Sequence, residues 1–491
     1  MKKNKFMIRA LSLMLVLIMA ISTIVSCGDD KVNENTGDVN NNVSTDETGE
    51  SLKLPNINFD DANFNILCRK EDYAKDLHID KLDTGSSTVD EKVYNRNNFI
   101  EETYGVNFVI FTDGQNEIAT AVSTAVLADP DEYDLIANHG RTIFAGVTSN
   151  YYYDWNKLEH INTNASWWYQ SANKNWRTPN GKLFAMNGDM SYQSVGVLGG
   201  MYFNKDIIDN AKAKSPYDYV KEDIWTLENF GKLVIEVDSS LAGDSSGNIG
   251  TDSFGYATQR WRGPSFAYMC SGQPLLKLGN DGKYVINADN ERIVNSFEQY
   301  LQILENGSCY YGPNDADLGP VRDAFKAGRV AFYDDNLSTS VIFKGLDLNY
   351  GIVPFPKYDE LTDGYYSTIG TGTNTFAVLS NTTERNAEKI SVVLEAMAYY
   401  GQKQIISYYY DELLSYQAMK DVESLEMLQL IHDGASVEMI QYTNYGEIVD
   451  LPRKVLEMPM RYGTSIATAV KVVRSIVEQE LELWYALDSA N

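Results

Sequence analysis

Short apolar runs alternate with longer amphipathic stretches in the first third of the chain, and this alternation restricts the fold more than any other feature. Residues 64–68, 106–111 and 133–137 have the apolar composition of strands, whereas residues 89–104 and 117–127 have the spacing of helices. Strands separated by helices predict βαβ units with a largely parallel sheet. The sequence therefore predicts an α/β fold.

The rest of the chain has the same mixed character and is long. Strand patterns cover residues 254–258 and 329–333, and helical patterns cover residues 291–305, 321–326, 384–410, 422–432 and 465–486. The patterned part, ~430 residues, exceeds what a single hydrophobic core usually serves, so we expect two lobes.

The N-terminus has a basic segment, an apolar segment and a cysteine in that order. Four lysine and arginine residues lie within the first nine positions, residues 10–25 are mostly apolar, and the chain turns polar after Cys27. This order is typical of an export signal, and the apolar run is shorter than the ~20 residues of a bilayer span. The segment that ends at Cys27 resembles a bacterial lipobox. An ordinary signal peptide, or a short anchor helix with an incidental cysteine, is the alternative.

The lipobox interpretation predicts how the chain is exported and attached. Residues 1–27 are then a lipoprotein signal peptide, and Cys27 carries acyl chains such as palmitate that hold the protein on the outer side of the cell membrane. Residues 28–58 are rich in Asn, Asp, Ser and Gly and have few apolar side chains to bury. Such a segment cannot offset the entropy of ordering, so we expect a flexible polar linker that spans roughly 30 Å.

Charge and cysteine content exclude several classes of protein. The formal net charge is −27, and it becomes −31 when the four cations of the signal peptide are removed. A chain this acidic repels phosphate backbones, which excludes nucleic acid as a partner and favours a monomer. Beyond Cys27 there are only Cys68, Cys270 and Cys309, too few for a disulfide scaffold. Pairing of Cys270 with Cys309 and three free thiols both stay open.

Several segments in the middle of the chain resemble one protein family. Tyr-Phe-Asn-Lys-Asp at 202–206, Pro216 and Trp-Thr-Leu-Glu at 225–228 resemble its "YNKD … P … TWDE" pattern. Further segments that fall in the family's order lie at residues 134–136, 181–185, 325–332, 350–356 and 369–372. The family is the extracellular solute-binding proteins of bacterial ABC importers (family 1, sugar-binding type), and the resemblance covers roughly residues 60 to 400.

This resemblance implies a type II periplasmic-binding-protein-like fold, with two lobes joined by a hinge. Lobe 1 is expected at residues 59–201 and 369–433, and lobe 2 at residues 202–368 and 434–491. Hinge candidates are residues 199–202, 367–372 and 433–436. The implied function is capture of a carbohydrate, in the first place an oligosaccharide, by lobe closure, followed by delivery to the membrane subunits of an ABC permease. No catalysis, cofactor or metal is implied.

Candidate ligand contacts are polar or aromatic side chains near strand ends and hinges, where ligands of open α/β sheets gather, or in the polar loop at residues 187–193, since loops on a rigid scaffold carry function. Packing, capping and turn formation are the competing explanations for each of them. The candidates are Asn138, His139, Arg141, Asn187, Asp189, Tyr192, Trp261, Arg262, Asp334, Asp335, Asn336, Thr371, Thr373 and Asn374. A metal at His139 is not expected, because only four histidines exist and none has ligand spacing.

Enzyme motifs occur but lack their context. Residues 243–247 match G-x-S-x-G in a hydrophilic loop without the strand-to-helix elbow. A calcium loop that began at Asp244 would need glutamate where Gly255 stands. Asp334 and Asp335 are adjacent, so on a strand they point to opposite faces and do not form a glycosidase pair. A surface-anchored polysaccharide-acting enzyme, a sensor or adhesion module, and a binding protein for a peptide, polyamine or other polar solute remain the alternatives.

Overall fold

The computed structural model describes residues 51–489 except 71, 129, 179, 239–240, 242–245, 261, 280–282, 307–308, 313–317, 344–345, 369–371, 410–421 and 437–450. Cys27, Trp261 and Thr371 lie outside these residues, as do the predicted signal peptide, three of the five residues of the G-x-S-x-G motif and most of the predicted linker. Leu52–Asn491 forms one compact unit.

Strands and helices alternate along this unit. The strands are β1 (Ala62–Arg69), β2 (Val106–Asp113), β3 (Leu135–His139), β4 (Gly199–Asn204), β5 (Phe254–Gln259), β6 (Leu276–Leu278), β7 (Tyr284–Ile286), β8 (Cys309–Gly312), β9 (Val330–Asn336), β10 (Tyr350–Val353), β11 (Ser367–Thr368), β12 (Asn374–Ala377) and β13 (Ala435–Ser436). The helices are α1 (Asp72–Lys75), α2 (Thr88–Tyr104), α3 (Gln115–Leu127), α4 (Gly140–Thr148), α5 (Gln170–Asn175), α6 (Gln193–Gly196), α7 (Lys205–Ala211), α8 (Pro216–Lys221), α9 (Leu227–Asp238), α10 (Gly263–Met269), α11 (Glu291–Glu305), α12 (Gly319–Lys326), α13 (Glu384–Gly401), α14 (Val422–Asp433), α15 (Leu451–Tyr462) and α16 (Ile466–Ser489). Trp155–Lys157 and Leu337–Phe343 are 3₁₀ turns, and Gln402–Ile406 is a π-helical turn.

Two larger sheets organise the unit. The first has the order β12-β3-β1-β2; β1 runs parallel to β2 and β3, and β12 is antiparallel to β3. The second has the order β10-β4-β9-β5-β8; β5 runs parallel to β8 and β9, while β4 is antiparallel to β9 and β10. The α/β prediction is confirmed.

Helices cover both sheets, because the apolar faces of the sheets and of the helices must be buried. On the first sheet α3 packs against β1 and β3, α4 packs against β3 and β12, and α2 packs on α13. On the second sheet α9 and α12 pack on β9, and α11 packs on β8. The strand-forming residues are correspondingly apolar and buried, as in β10, where all four residues are buried.

The last two helices, α15 and α16, contact helices that pack near each of the two larger sheets. α15 packs on α10 and α16, and α16 packs on α11 and on α4. The ring centroids of Trp484 in α16 and Phe144 in α4 are 6.1 Å apart. α14, predicted to belong to the first lobe, packs on β10 of the second sheet, and Ser424 at its start lies 2.7 Å from the Tyr217 hydroxyl.

Local signals in the sequence set several element boundaries. Gly105 ends α2 and Gly328 follows α12, and both have the positive φ that glycine tolerates best. The Thr226 hydroxyl accepts a hydrogen bond from the Asn229 amide at the start of α9, as the sequence predicts. β9 extends further than expected, because its last residues pair with β4.

Two structural findings bear on localisation and redox state. Among the described residues, no helix combines the length and the apolarity that a membrane span requires. Cys68, Cys270 and Cys309 are free thiols, and burial raises the pKa of the Cys68 thiol to about 12, which makes it unreactive.

Candidate functional site

Polar side chains converge at the carboxyl edge of the first sheet. Arg69 ends β1, His139 ends β3, and Asn374 begins β12 directly opposite His139 in the ladder. Because β12 runs antiparallel to β3, its first residue lies at the same edge as the last residues of β1 and β3. Asn138, His139, Thr373 and Asn374, all predicted from the sequence, are brought together here.

Arg69 is the centre of this cluster. Its side chain is 7% exposed, and its Nη2 donates hydrogen bonds to the Gly372 carbonyl (2.6 Å) and to Asn374 Oδ1 (3.4 Å). The guanidinium lies over the Tyr73 ring, 3.7 Å from the centroid. Its buried Nε has no hydrogen-bond partner within the part of the chain that the structure describes.

His139 joins the strand end to helix α4. Its Nδ1 accepts a hydrogen bond from the Arg141 amide (3.2 Å), and its own amide donates to Asn138 Oδ1 (2.7 Å). Burial, followed by the positive charges of Arg69 and Arg141, lowers the pKa of His139 to about 3. The imidazole is therefore neutral at physiological pH and caps the helix as an acceptor.

Asparagine amides complete the cluster. Asn374 Nδ2 donates to the Tyr73 carbonyl (3.0 Å), and Asn138 Nδ2 donates to the Gln115 carbonyl (3.1 Å). With its amide oriented to donate, Asn187 bonds to the carbonyls of Asn374 and Met186 at 3.0 Å. Asn187 thus belongs to the same cluster although it comes from a separate loop.

Asp189 and Tyr192, predicted from the same loop as Asn187, have structural partners. Asp189 is buried and accepts a hydrogen bond from Gln402 in the π-helical turn (2.9 Å). Burial raises the pKa of this carboxyl to about 7. The Tyr192 ring packs on Tyr409 with centroids 4.9 Å apart, and its amide donates to Asp76 Oδ1. These contacts fix the loop against the chain that follows α13.

A second cluster lies at the carboxyl end of β9. Asp334 and Asp335 are both fully buried and point to opposite faces of the second sheet, as the sequence predicts for adjacent strand residues. Asp334 Oδ1 accepts a hydrogen bond from the Tyr256 hydroxyl (2.8 Å), which also lies 2.9 Å from the Tyr300 hydroxyl. Burial raises the pKa of Asp334 to about 6.

Asp335 has two arginine partners on the other face. Arg322 of α12 donates from Nε and Nη2 at 2.7 and 3.1 Å, and Arg262 Nη2 lies 3.3 Å from the same carboxyl. Asn336 follows at the strand end, and its carbonyl accepts from the Tyr202 hydroxyl (2.7 Å). The structure therefore brings together Arg262, Asp334, Asp335 and Asn336.

The three predicted hinge segments are hydrogen-bonded to one another. The Ser367 hydroxyl donates to the Gly199 carbonyl (2.6 Å), and the Ser367 amide donates to the Gly434 carbonyl (2.9 Å). β11 and β13 pair in parallel at this point. The close approach requires glycine at 434, because a Cβ there would overlap the Tyr365 carbonyl.

Sequence reasoning missed Arg69, Tyr73, Tyr256 and Arg322. Arg69 directly follows the predicted strand 64–68, so the strand-end rule that selected Asn138 would also have selected Arg69. Arg322 had no comparable signal, since it lies in a helix thirteen positions before its partner Asp335. No cluster of three or more His, Cys, Asp or Glu side chains suited to a metal occurs among the described residues.

A family model and several solved structures resemble this chain. The model of the bacterial extracellular solute-binding proteins matches residues 96–394, more than half of the 491 residues. No curated protein sequence matches the chain significantly.

Three structures illustrate the likeness. The sugar-binding protein MalE from Xanthomonas citri has a TM-score of 0.59 at 12% identity, covering 88% of this chain and 100% of its own. The GacH receptor of Streptomyces glaucescens, solved unliganded and with acarbose, has a TM-score of 0.55 at 13% identity, covering 86% and 99%. UgpB from Mycobacterium tuberculosis, solved with glycerophosphocholine, has a TM-score of 0.55 at 12% identity, covering 86% and 98%.

The likeness to these structures shows the fold of the chain. The chain has the two-lobed architecture of periplasmic binding proteins, as the sequence predicts.

Proposed function

This chain belongs to the bacterial extracellular solute-binding protein family, and on that premise we propose that it captures a carbohydrate, in the first place an oligosaccharide, for an ABC importer. The lobes close around the sugar, and the closed protein delivers it to the permease. The sugar keeps all of its bonds, since the protein acts by binding. The family and the similar structures are those of binding proteins.

The observation that carries this proposal is the pair of polar clusters at the strand ends of the two sheets. Guanidinium, amide and carboxyl groups are planar and hydrogen-bond sugar hydroxyls in defined directions. We propose Asn138, His139, Arg141, Asn187, Thr373 and Asn374 as contacts from the first lobe. Arg262, Asp334, Asp335 and Asn336 are the proposed contacts from the second lobe.

Lobe closure is proposed to occur about the three hydrogen-bonded hinge segments. A ligand that contacts both lobes favours the closed state, because only there does it make all its contacts. We propose the same residue ranges for the two lobes as the sequence predicts, with one change. Helix α14 packs on β10, which supports assigning α14 to the second lobe.

The proposed attachment is a lipid on Cys27, with the predicted linker from residue 28 ending earlier than residue 58, because the compact unit begins at Leu52 and the side chains of Leu52, Leu54 and Ile57 pack on the core. The extracellular family supports export, and the chain after Cys27 is proposed to lie outside the membrane. Incorporation of a labelled fatty acid in cells, and its loss in Cys27→Ser, is the direct test. A labelled Cys27→Ser chain would refute the assignment.

A screen of oligosaccharides against thermal unfolding of the purified protein tests the proposed function. A solute that binds only the folded state raises the melting temperature in a saturable way. We expect at least one oligosaccharide to do so and to be recovered unchanged. Cleavage of the sugar would instead favour the polysaccharide-acting enzyme.

A polar solute other than a sugar is the second candidate. It is favoured by one observation, the likeness to UgpB, whose structure holds glycerophosphocholine. Stabilisation by such solutes, with none by saccharides, would select this candidate.

A further inference from the structure

We propose that the captured saccharide is acidic and that its anionic group, a carboxylate or an ester sulfate or phosphate, is received by Arg69, Arg141 and the first turn of α4. This inference rests on the proposed function and deepens it by naming the class of sugar. Its basis is the arrangement of charge at the edge of the first sheet.

Arg69 is a buried guanidinium group that is held in a fixed orientation and still has a hydrogen-bond donor to offer. The side chain is more than nine-tenths buried, and its orientation is fixed by the Gly372 carbonyl and by the Tyr73 ring. Its Nε has no hydrogen-bond partner among the described residues. A buried donor without a partner costs free energy, and an anionic oxygen is the acceptor that satisfies a guanidinium best.

The start of α4 adds a second positive element beside Arg69. The helix begins at Gly140 immediately after β3, so the positive dipole end of its first turn lies at the strand end, where the Arg141 amide donates to His139 Nδ1. Arg141 is in this turn. The proximity of both guanidinium groups to His139 is reflected in its pKa, which they lower further after burial has lowered it.

The carboxyl groups nearest to this cluster have partners of their own. Asp76 accepts hydrogen bonds from the Ser191 hydroxyl and the Tyr192 amide; burial raises the pKa of this carboxyl to about 7, although these bonds and the charge of Arg96 oppose the shift. Asp113, at the end of β2, lies 3.5 Å from Lys70. On the second sheet Asp335 is already engaged by Arg262 and Arg322. Among the described residues no carboxylate forms a hydrogen bond or ion pair with Arg69, and the charge of Asp76 acts on it only through space.

The charge of the whole chain makes this local arrangement significant. A net charge of −27 repels anions at long range, so a positive cluster at a strand end runs against the overall field. A neutral sugar could be bound by amides and a single guanidinium. Two guanidinium groups and a helix N-terminus at one strand edge match a ligand that carries negative charge.

The test is calorimetric titration of the purified full chain with matched saccharides. Each oligosaccharide is used in neutral and acidic form: oligogalacturonate and its methyl ester, and sulfated, phosphorylated and unmodified oligomers of the same length. We expect the acidic member of at least one pair to bind about tenfold or more tightly than its neutral counterpart, with an affinity that falls as salt rises.

Two variants locate the effect. Arg69→Gln and Arg141→Gln should each weaken binding of the acidic member about tenfold or more, and Arg141→Gln serves if Arg69→Gln fails to fold. Lys70→Gln is the matched control. It removes one positive charge next to Arg69 in the sequence, but the Lys70 side chain is 59% exposed. It should bind like the unchanged protein.

Each outcome separates the two proposals. Tighter binding of neutral than of acidic members would overturn the acidic-sugar inference and leave the proposed function intact. Equal weakening by Lys70→Gln would reduce the effect to general charge and also overturn it. Failure of every saccharide, neutral or acidic, would overturn both.

Discussion

At the scale of single residues, two adjacent carboxyl groups of the second cluster have different kinds of partner. Asp335 is fully buried and pairs with two partly exposed arginines, whereas Asp334 accepts a hydrogen bond from a tyrosine hydroxyl on the other face. Removing one member of a buried ion pair leaves the other charge uncompensated, which costs more than the pair contributes.

The change Asp335→Asn should therefore destabilise the protein. We expect the free energy of unfolding in urea to fall by about 3 kcal/mol, because Arg262 and Arg322 lose their counter-charge. Asp323→Asn is the control: Asp323 pairs with Lys326 on the surface with 71% of its side chain exposed, so its loss should cost less than about 0.5 kcal/mol. Equal losses in both variants would contradict this account.

The buried carboxyl of Glu395 makes stability depend on pH. Burial raises its pKa to about 7, although a hydrogen bond from the Trp168 indole (2.9 Å) opposes the shift. Because this pKa is higher in the folded than in the unfolded state, the contribution of Glu395 is complete below pH ~4.5 and is lost as the pH rises through 7.

Glu395→Gln should remove this dependence. Relative to the unchanged protein, the variant should gain on the order of 2 kcal/mol in unfolding free energy between pH 5 and pH 8, measured by urea unfolding at each pH. Glu388→Gln, an exposed position on the same helix, should show no such gain. A pH-independent difference for Glu395→Gln would contradict the assigned protonation.

Sequence predicted part of the site at this scale. The strand-end rule selected Asn138, His139 and Asp335, whose positions depend on backbone topology alone. A different argument, its position in a polar loop between two apolar runs, selected Asp189, whose carboxyl is bound by Gln402. The two kinds of aspartate look alike in sequence, because the difference lies in long-range packing.

At the scale of elements, two of the hinge candidates pair as one small sheet, and the third, in β4, is hydrogen-bonded to it. β11 and β13 pair, and Ser367 bonds to both Gly199 and Gly434. Gly434→Ala should reduce the free energy of unfolding by about 1–3 kcal/mol, because the new methyl group overlaps the Tyr365 carbonyl.

Gly372→Ala is the matched control for this substitution. A Cβ at Gly372, in another of the candidate hinge segments, meets open space. We expect its effect on unfolding in urea to stay within about 0.5 kcal/mol. If Gly434→Ala were equally mild, the close packing of the three segments would be refuted.

Local sequence signals were sufficient to predict most helices and strands, but they did not predict which strands pair. The spacing of apolar residues predicted α2, α11 and β1, since periodicity is a property of neighbouring positions. The antiparallel placement of β4 between β9 and β10 brings distant segments together, and no local pattern encodes it.

At the scale of the whole molecule, two sheets with polar strand ends are joined by hydrogen-bonded crossing segments. The sequence predicted this division from length and family resemblance, and the similar structures show the same two-lobed fold. The identity of the bound solute depends on a few side-chain positions, and neither length nor periodicity specifies those.

Small-angle X-ray scattering during titration with a saccharide that raises the melting temperature tests the central claim most directly. A solute bridging both lobes favours the closed state, so we predict that the radius of gyration decreases and reaches a plateau when the site is saturated. An unchanged radius of gyration at saturation would contradict capture by lobe closure.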